Sequence, residues 1–321
     1  MRILDFIFYI FIVVVFIQAI FYLIIFSRFA LLKQKKSIKK NIAISVIICA
    51  KNEAENLQNF LPSIISQDYP NFEIVLINDA SNDKTLEIME RFSSEHSNIK
   101  IVNVKNIEAF WGNKKYALTL GIKASKNEFL LFTDADCKPV SKHWISEMSS
   151  HFTNQKSIVL GYGAYSKIKN SFLNKIIRFE TLFTAIQYFS FAKTGMPYMG
   201  VGRNLAYSKK EFFNANGFIN HIKVRSGDDD LFINQVATNK NTTISFSKES
   251  FTESIPKTTF KTWIKQKRRH VSTAKHYKLK HKIILATFYS SNLLIDRLFH
   301  QEAPQQPTSN PYRQNRWLPI L

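Results

Sequence analysis

The longest apolar run in the chain lies near its beginning and predicts a membrane anchor. Phe6 to Phe26 spans 21 residues, and Gln18 is its only strongly polar member. A helix rises 1.5 Å per residue, so this run measures about 30 Å, the thickness of the hydrocarbon core of a bilayer. We therefore expect a transmembrane anchor over residues 1–30, with the membrane lipid bilayer as a partner.

The charges beside this run predict its orientation. Arg2 stands nearly alone in front of it, whereas five lysines follow it within a basic linker over residues 31–42. A signal peptide would carry its positive charges in front of a shorter apolar segment. Positive charges mark the cytoplasmic side of a span, so we expect the rest of the chain in the cytoplasm. The five lysines are Lys33, Lys35, Lys36, Lys39 and Lys40.

From residue 43 onward, short apolar segments rich in β-branched residues alternate with amphipathic stretches. Short segments of this kind are typical of buried strands, and strands that alternate with helices pair in parallel through right-handed crossovers. The pattern predicts a mainly parallel α/β sheet flanked by helices, in a domain over residues 43–280. The predicted strands are Ile44–Ala50, Glu73–Asn78, Ile99–Val104 and Glu128–Thr133.

The pattern loosens in the second half of the chain. Phe172 to Lys193 is an aromatic-rich stretch that predicts one long helix. Ile283 to Phe299 is apolar but interrupted by polar residues, which predicts an interfacial helix or a partial membrane span over residues 281–300. Residues 301–321 are rich in Pro, Gln and Asn, a composition that cannot build a core, so we expect a disordered tail.

The net charge of +20 by itself suggests a nucleic-acid partner. The positive charges, however, are concentrated beside the apolar run and again from Lys257 to Lys282. Next to anionic headgroups each such charge gains about 1 kcal/mol, so a membrane explains them and we expect no nucleic acid. Two cysteines, Cys49 and Cys137, are too few for a disulfide framework or a zinc site, which favours a reducing compartment.

Acidic residues follow two of the predicted strands. Asp79 comes after the second strand, and Asp134 and Asp136 come after the fourth. Ligands of open α/β sheets bind at the carboxyl ends of the strands, where paired carboxylates are suitable oxygen ligands for Mg²⁺ or Mn²⁺. Such a metal stabilises a diphosphate as a leaving group. The alternative is a solvated turn, because Asp also favours turns.

Several segments, taken in order from Ile44 to about Tyr277, resemble the family 2 inverting glycosyltransferases of GT-A fold. This resemblance implies a Rossmann-like nucleotide-sugar-binding fold with a mixed, mainly parallel sheet. Val46-Ile-Ile-Cys-Ala-Lys-Asn-Glu53 is similar to their first strand and its loop. In the second strand, members usually have Asp-Asp where this chain has Asn78-Asp79. The resemblance implies that Asp79 holds the uracil of a UDP-sugar donor. It also implies nucleotide contacts at the end of the first strand, for which the candidates are Ala50, Asn52 and Glu53.

The next segments in order concern the diphosphate and the sugar. Gly112-Asn-Lys-Lys-Tyr-Ala-Leu118 resembles the segment whose Lys lies near the nucleotide, so Lys114 is a donor-site candidate, with a solvated helix position as the alternative. The resemblance implies that Asp136 is the principal metal ligand and that Asp134 holds the ribose or a metal-bound water. Met199 to Ala206 is similar to the wall of the sugar pocket, with Asn204 as a contact.

Two downstream segments complete the resemblance. Gly227-Asp-Asp-Asp-Leu-Phe232 is similar to the segment of the catalytic base, which implies Asp229 as the base. Alternatively, Asp228 and Asp230 cap the following helix, and the two roles are compatible. Gln266-Lys-Arg-Arg-His270 resembles the Gln-x-x-Arg-Trp motif of the membrane-associated branch, so Gln266 and Arg269 are donor-site candidates. His270 stands where that motif has Trp, which speaks against processive polymer synthesis.

Together these segments predict an inverting transfer from a nucleotide-sugar, most simply a UDP-sugar, to a hydroxyl of a glycan or glycolipid acceptor. The acceptor is expected to be lipid-linked or a polysaccharide at the cytoplasmic membrane face. A nucleotidyltransferase is one alternative, but the loop after the first strand lacks the glycines of a phosphate loop. A non-catalytic membrane scaffold is another, but it predicts loss of the acidic residues, which are all present.

Overall fold

A computed structural model of the chain describes residues 3–34, 38–105 and 114–301. Lys35 and Lys36 of the basic linker lie outside the described residues. So do Gly112 at the start of the predicted donor segment and all of the predicted tail except residue 301. The chain divides into two compact units, Met1–Phe21 with Ile284–Leu321, and Tyr22–Ile283. The finer domain boundaries given above stay predictions.

Eleven α-helices are found in the described part of the chain, the first two joined by a π-helical stretch over Phe21–Phe26. Most of them contribute an apolar face to the core, as the alternating pattern predicts. They are α1 (Ile3–Ile20), α2 (Ser27–Ala30), α3 (Ala54–Ile65), α4 (Thr85–Glu95), α5 (Lys114–Ala124), α6 (Trp144–Ser150), α7 (Phe172–Lys193), α8 (Lys209–Asn214), α9 (Asp230–Val236), α10 (Phe260–Val271) and α11 (Leu279–Gln301).

Ten strands form two sheets in the described residues. The larger has seven strands in the order β3-β2-β1-β4-β8-β6-β9, and the smaller has three in the order β5-β10-β7. The strands are β1 (Ile44–Ala50), β2 (Phe72–Asp79), β3 (Ile99–Val104), β4 (Phe129–Asp134), β5 (Cys137–Pro139), β6 (Ile158–Leu160), β7 (Gly163–Tyr165), β8 (Leu205–Ser208), β9 (Thr242–Ile244) and β10 (Thr252–Ser254).

The larger sheet is parallel from β3 to β4, and β8 joins β4 and β6 in antiparallel pairing. The predicted mixed, mainly parallel sheet flanked by helices is therefore confirmed. The register brings strand ends together, because Cys49 of β1 pairs with Asp134 on one side and Ala50 pairs with Asn78 on the other. Asp79 and Asp134, the last residues of β2 and β4, consequently lie at the same edge of the sheet.

The N-terminal apolar run forms a helical segment from Asp5 to Ala30, the one described helix long and apolar enough to cross a membrane. A core helix or a signal sequence would pass the same test of length and composition. Its large apolar side chains are mostly exposed, with Phe16 at 66% and Leu23 at 74%. Within the first unit, Gln18 is buried and its Nε2 donates to the carbonyl oxygen of Phe288 over 3.1 Å. The polar exception in the apolar run is thereby paired.

Candidate active site

The carboxyl edge of the parallel strands opens into a small cavity between β1, β4 and the segment before α9. Polar groups from four separate parts of the chain line it, namely Lys114, Asp134, Asp228 and Asp229, together with Gly202. Three of the predicted site residues thus come together here. Cys49 also lines the cavity, and burial raises the pKa of its thiol to about 12, so it remains a neutral thiol.

Lys114 connects two carboxylates across this cavity. Its Nζ lies 2.8 Å from Asp134 Oδ1 and 3.3 Å from Asp228 Oδ2. Burial alone would lower the pKa of Lys114, but the charges of Asp134 and Asp228 raise it well above its ordinary value. The lysine is therefore a cation held in the site by two anions. Asp228 was assigned above only a capping role, and its ion pair is a contribution that the sequence reading missed.

Asp134, Asp136 and Cys137 place one ligand atom each within 4.8 Å of one another, which tests whether a metal fits. Burial and the charge of Asp134 raise the pKa of Asp136, the effect of two like charges close together. Burial also raises the pKa of the Cys137 thiol well above its ordinary value, so the thiol is no ligand for a hard cation. Two closely spaced carboxylates suit Mg²⁺ or Mn²⁺, and the residues fit such an ion.

Asp229 is held on both sides of its carboxylate. Its Oδ2 accepts from the backbone N–H of Gly202 over 2.7 Å, and its Oδ1 accepts from the N–H of Asp230 over 2.7 Å. Burial and the neighbouring charges of Asp228 and Asp230 raise its pKa to about 7, against which the two N–H groups act. A carboxylate with a pKa near neutrality is suited to accept a proton.

The roles within the three consecutive aspartates differ from the predicted capping pattern. Asp229 is the N-cap residue of α9, whereas Asp228 pairs with Lys114 and does not cap the helix. Asp230 is buried, and its Oδ2 accepts from the hydroxyl of Tyr277 over 2.8 Å and from the hydroxyl of Thr273. Its Oδ1 accepts from the N–H of the next residue, so Asp230 serves the interior of the protein.

The loops that follow β1 and β2 are tied to each other at the predicted nucleotide end. Asn52 has a left-handed backbone (φ +57°), and its side-chain oxygen accepts from the N–H of Asn82 over 2.8 Å. The N–H of Glu53 donates to the hydroxyl of Thr85 over 2.8 Å. Ala50 is buried within β1. The loop conformation is thus fixed by hydrogen bonds that cross from one βα turn to the next.

Asp79 lies at the end of β2 and is buried. Lys51 approaches it, with Nζ 4.0 Å from Oδ2. Burial raises the pKa of Asp79, while Lys51 and Lys114 lower it. The Asp79 carboxylate at this strand end can therefore accept hydrogen bonds from the N–H groups of a nucleotide base.

Asn204 is fully buried, and its amide is engaged within the protein. Its Nδ2 donates to the carbonyl oxygens of Tyr162 (3.0 Å) and Ser250 (2.7 Å), and its Oδ1 accepts from Trp144 Nε1 over 3.0 Å. These bonds engage the side chain within the protein and tie it to Tyr162, Ser250 and Trp144. The sugar contact of Asn204 stays a prediction.

The neighbouring Arg203 was missed in the sequence reading. It stacks on Tyr165, with 4.3 Å from its guanidinium carbon to the ring centroid, and donates to Ser254 Oγ over 2.9 Å. Its charge acts on Asp134 and Asp136. Its position directly before Asn204, in the segment predicted to form the wall of the sugar pocket, is the signal by which the sequence could have identified it.

The helix α10 carries the last two predicted residues. Gln266 Nε2 donates to the hydroxyl of Tyr165 over 3.4 Å. Arg269 is exposed, and its charge contributes to lowering the pKa of Asp134, against burial and after Lys114. The described part of α10 therefore presents a cation toward the acidic cluster.

Comparison with known proteins identifies the family of the chain. The profile of Glycosyl transferase family 2 matches residues 45–215. Glycosyltransferase AglE of Haloferax volcanii is 36% identical over 104 residues, which cover 32% of this chain and 33% of AglE. The poly-beta-1,6-N-acetyl-D-glucosamine synthase of Staphylococcus epidermidis is 37% identical over 111 residues, 35% of this chain and 25% of the synthase. The chain thus matches a quarter to a third of the length of these relatives.

Among solved structures, the mannosyltransferase PcManGT from Pyrobaculum calidifontis, in complex with GDP-Man and Mn²⁺, has a similar fold. The TM-score is 0.64 at 17% identity, covering 90% of this chain and 85% of that one. The family profile extends from the second residue of β1 to the residue after α8, and so contains the edge on which the acidic cluster lies. By this match over more than half of its length, the chain belongs to glycosyl transferase family 2.

Proposed function

We propose that the protein is a metal-dependent inverting glycosyltransferase that moves a sugar from a nucleotide-sugar to an acceptor hydroxyl. One observation carries the proposal. Asp229, a carboxylate whose pKa burial raises to about 7, lies in the same cavity as Asp134 of the acidic cluster. A proton acceptor beside a diphosphate site is what a single displacement at an anomeric carbon requires.

Asp136 and Asp134 would hold Mg²⁺ or Mn²⁺, which when bound neutralises the charge of the donor diphosphate. Lys114 already lies at Asp134 and is within reach of the same region, so it adds a donor to the diphosphate side. Arg203 and Arg269 add positive potential around the acidic cluster. The chain thus supplies carboxylates for the metal ion and basic side chains for the diphosphate.

Asp229 takes the proton of the acceptor hydroxyl as that oxygen attacks the anomeric carbon. The bond from that carbon to the diphosphate breaks, and the configuration inverts. The N–H groups of Gly202 and Asp230 fix the carboxylate while leaving a lone pair on each oxygen for the proton. A base that is held in place before the acceptor arrives does not need to be oriented during the reaction.

The nucleotide is assigned to the loops after β1 and β2, with Ala50, Asn52 and Glu53 on one side and Asp79 on the other. Asp79, buried at the end of β2, would accept from the N–H of a uracil, which favours UDP in this proposal. The structural neighbour was solved with a GDP-sugar, so the base has to be tested.

The membrane is the proposed site of action, with a lipid-linked or polysaccharide acceptor at the cytoplasmic face. Besides the N-terminal helix, α10 supports this. Phe260, Ile264 and Val271 lie on one face of that helix and are 49%, 44% and 69% exposed. Lysines and an arginine flank this face, a distribution typical of helices at an anionic lipid surface. The flanking basic residues are Lys261, Lys265 and Arg268.

A donor screen tests the function. Purified full-length protein is incubated with a panel of UDP- and GDP-sugars and Mn²⁺, and free nucleoside diphosphate is measured with and without EDTA. We expect one of the nucleotide-sugars to release its nucleoside diphosphate. This release should disappear with EDTA and in the Asp136→Ala variant. Release of pyrophosphate in a separate incubation with UTP or GTP and a sugar 1-phosphate would indicate a nucleotidyltransferase. No turnover with any donor or lipid acceptor would favour the non-catalytic scaffold.

A further inference from the structure

Lys115, the second residue of α5, is buried with 1% of its surface exposed. Its Nζ donates to the carbonyl oxygens of His221 (2.7 Å), Val224 (2.9 Å) and Ser226 (2.8 Å). An ammonium group has three N–H donors, so the number of these carbonyls matches its capacity. A lysine is almost never fully buried unless it is paired in this way.

The position of Lys115 in α5 does not by itself call for a charge. The helix contributes Ala117, Leu118 and Ile122 to the core, and an apolar side chain would satisfy the same packing. Burial of an ammonium therefore needs another explanation. The three carbonyls all belong to the segment from His221 to Ser226, which leads directly into the three aspartates.

That segment ends at Gly227, whose φ of +94° is accessible to glycine and strained for other residues. Beyond this turn, Asp228 pairs with Lys114. Two consecutive lysines at the start of α5 thus hold the chain on both sides of the turn. Lys115 binds backbone carbonyl oxygens before Gly227, and Lys114 binds the carboxylate of Asp228 after it.

We propose that Lys115 is a positioning residue, which holds His221–Ser226 so that Asp229 faces the cavity at Asp134. This inference rests on the proposed function, because it assigns Lys115 to the reaction for which Asp229 is the base. Lys115 touches neither donor nor acceptor. Its side chain supplies a donor to the carbonyl oxygens of Val224 and Ser226, and a second donor to that of His221, which also accepts from the N–H of Val224.

The charge of Lys115 also acts on the aspartates. Burial lowers its pKa to about 8, and Asp228, Asp230 and Asp229 act against that shift, which places the ammonium within their field. Loss of the charge would raise the pKa of Asp229 further. The other ionisable groups in the field of Asp229 are Asp228, Asp230, Tyr207 and Tyr277.

The test compares Lys115→Met with Lys123→Met, an exposed lysine on the same helix, in full-length protein. Three quantities are measured: kcat and donor KM, the acid limb of the pH profile, and hydrogen exchange along the chain. For Lys115→Met we expect kcat to fall about tenfold to a hundredfold, the range caused by misplacing a catalytic group by about 1 Å. Donor KM should stay within about threefold, since uniform binding is untouched.

The acid limb should move to higher pH in Lys115→Met, and exchange should rise within residues 221–228 while β1 and β4 stay protected. Lys123→Met should match the wild type. Lys115→Gln keeps two N–H donors without the charge, and carries the test if the Met variant does not fold. In Lys115→Gln the acid limb should still move, with a smaller loss of kcat.

The proposal is overturned if kcat and the acid limb stay at wild-type values in both variants, or if exchange rises evenly over the whole fold. The hydrogen-exchange result does not depend on turnover. An inactive wild-type protein with local opening at residues 221–228 in the variant would therefore contradict the proposed function and leave the role of Lys115 in holding the segment supported.

Discussion

Gly202 donates its backbone N–H to Asp229 Oδ2 over 2.7 Å, and this bond joins the pocket wall before β8 to the N-terminus of α9. The two residues are 27 positions apart in the chain, so the contact is long-range. The donor is a backbone group, so among single substitutions only proline removes it, but a Cβ at 202 would lie 3.4 Å from Asp229 Oδ2 and a larger side chain would press on the carboxylate. The orientation of the carboxylate is thus set by the path of the main chain.

The Asp229→Asn variant should lose sugar transfer but still bind the nucleotide-sugar donor. Asparagine preserves size and acceptance of one N–H, but it cannot take up a proton at neutral pH. We expect transfer to fall by at least about 10²-fold, the low end of what general-base catalysis contributes. Donor affinity, measured by calorimetry, should change little. Near-normal transfer would place the base elsewhere.

Asp230→Asn is the matched comparison, because this neighbour faces the interior. It should lower the melting temperature by loosening the bonds to Thr273 and Tyr277, with transfer per folded molecule close to wild type. A variant at 230 with the kinetic defect expected at 229 would shift the assignment by one residue.

The pH dependence of kcat/KM should show an acid limb near pH 7. Burial raises the pKa of Asp229 to about 7, and the base acts in its deprotonated form, so the rate should fall as pH decreases below that value. Asp228→Asn removes a neighbouring negative charge and should move the limb to lower pH. A limb that stays in place in Asp228→Asn, or that is absent in the wild type, would speak against Asp229.

The Asp136→Ala variant should abolish Mn²⁺-dependent binding of the nucleoside diphosphate while leaving the fold intact. Asp136 and Asp134 are the two carboxylates of the described acidic cluster, and they are the proposed oxygen ligands. Calorimetry with UDP and GDP, each with and without Mn²⁺, measures the effect. The exposed Glu90→Ala is the control. Unchanged Mn²⁺-dependent affinity in Asp136→Ala would remove the metal assignment.

A reporter fused after Lys40 should be cytoplasmic, as the charge order predicts. A chain beginning near Lys39 should lose its main anchor but still bind vesicles of anionic lipid through α10, with binding that weakens as salt screens the charges. Ile264→Asp should reduce that binding. A reporter on the other side of the membrane would overturn the topology and the proposed cytoplasmic donor.

Asn204→Leu should destabilise the fold. The substitution removes the partner of the Trp144 N–H and the bond to the Ser250 carbonyl oxygen, while the Tyr162 carbonyl oxygen still accepts from the N–H of Thr252. Each buried polar group left unpaired costs about 1–3 kcal/mol. Chemical denaturation measures the loss of unfolding free energy. A loss of donor affinity without any loss of stability would restore the sugar contact predicted for Asn204.

The sequence predicted the parallel strands closely, because buried apolar segments carry their own signal. Two of them, Ile44–Ala50 and Ile99–Val104, match the structure residue for residue. The antiparallel insertion of β8 has no local signal, since its partners are fixed by tertiary pairing, and only the resemblance to the GT-A fold implied a mixed sheet. At the site, motif order located the aspartates, but their partners are long-range.

Lys115 shows most clearly what could not be predicted from the sequence. A lysine at the polar start of a helix is usually solvated. Nothing within α5 indicates that three carbonyl oxygens more than a hundred positions away accept hydrogen bonds from this one. Arg203 and Asp228 were overlooked for the same reason. Charged residues are easily assigned to the surface when their counter-charges come from another element.

The N-cap role of Asp229 has a consequence for how this protein can change over time. One side chain is subject to two selective pressures, since it caps the start of α9 and is the proposed proton acceptor. A substitution that abolishes turnover also weakens a helix, so drift toward an inactive relative would have to repair the helix start at the same step. Serine or asparagine at 229 would do so, and a homologue with either residue there would be an inactive descendant that kept its fold.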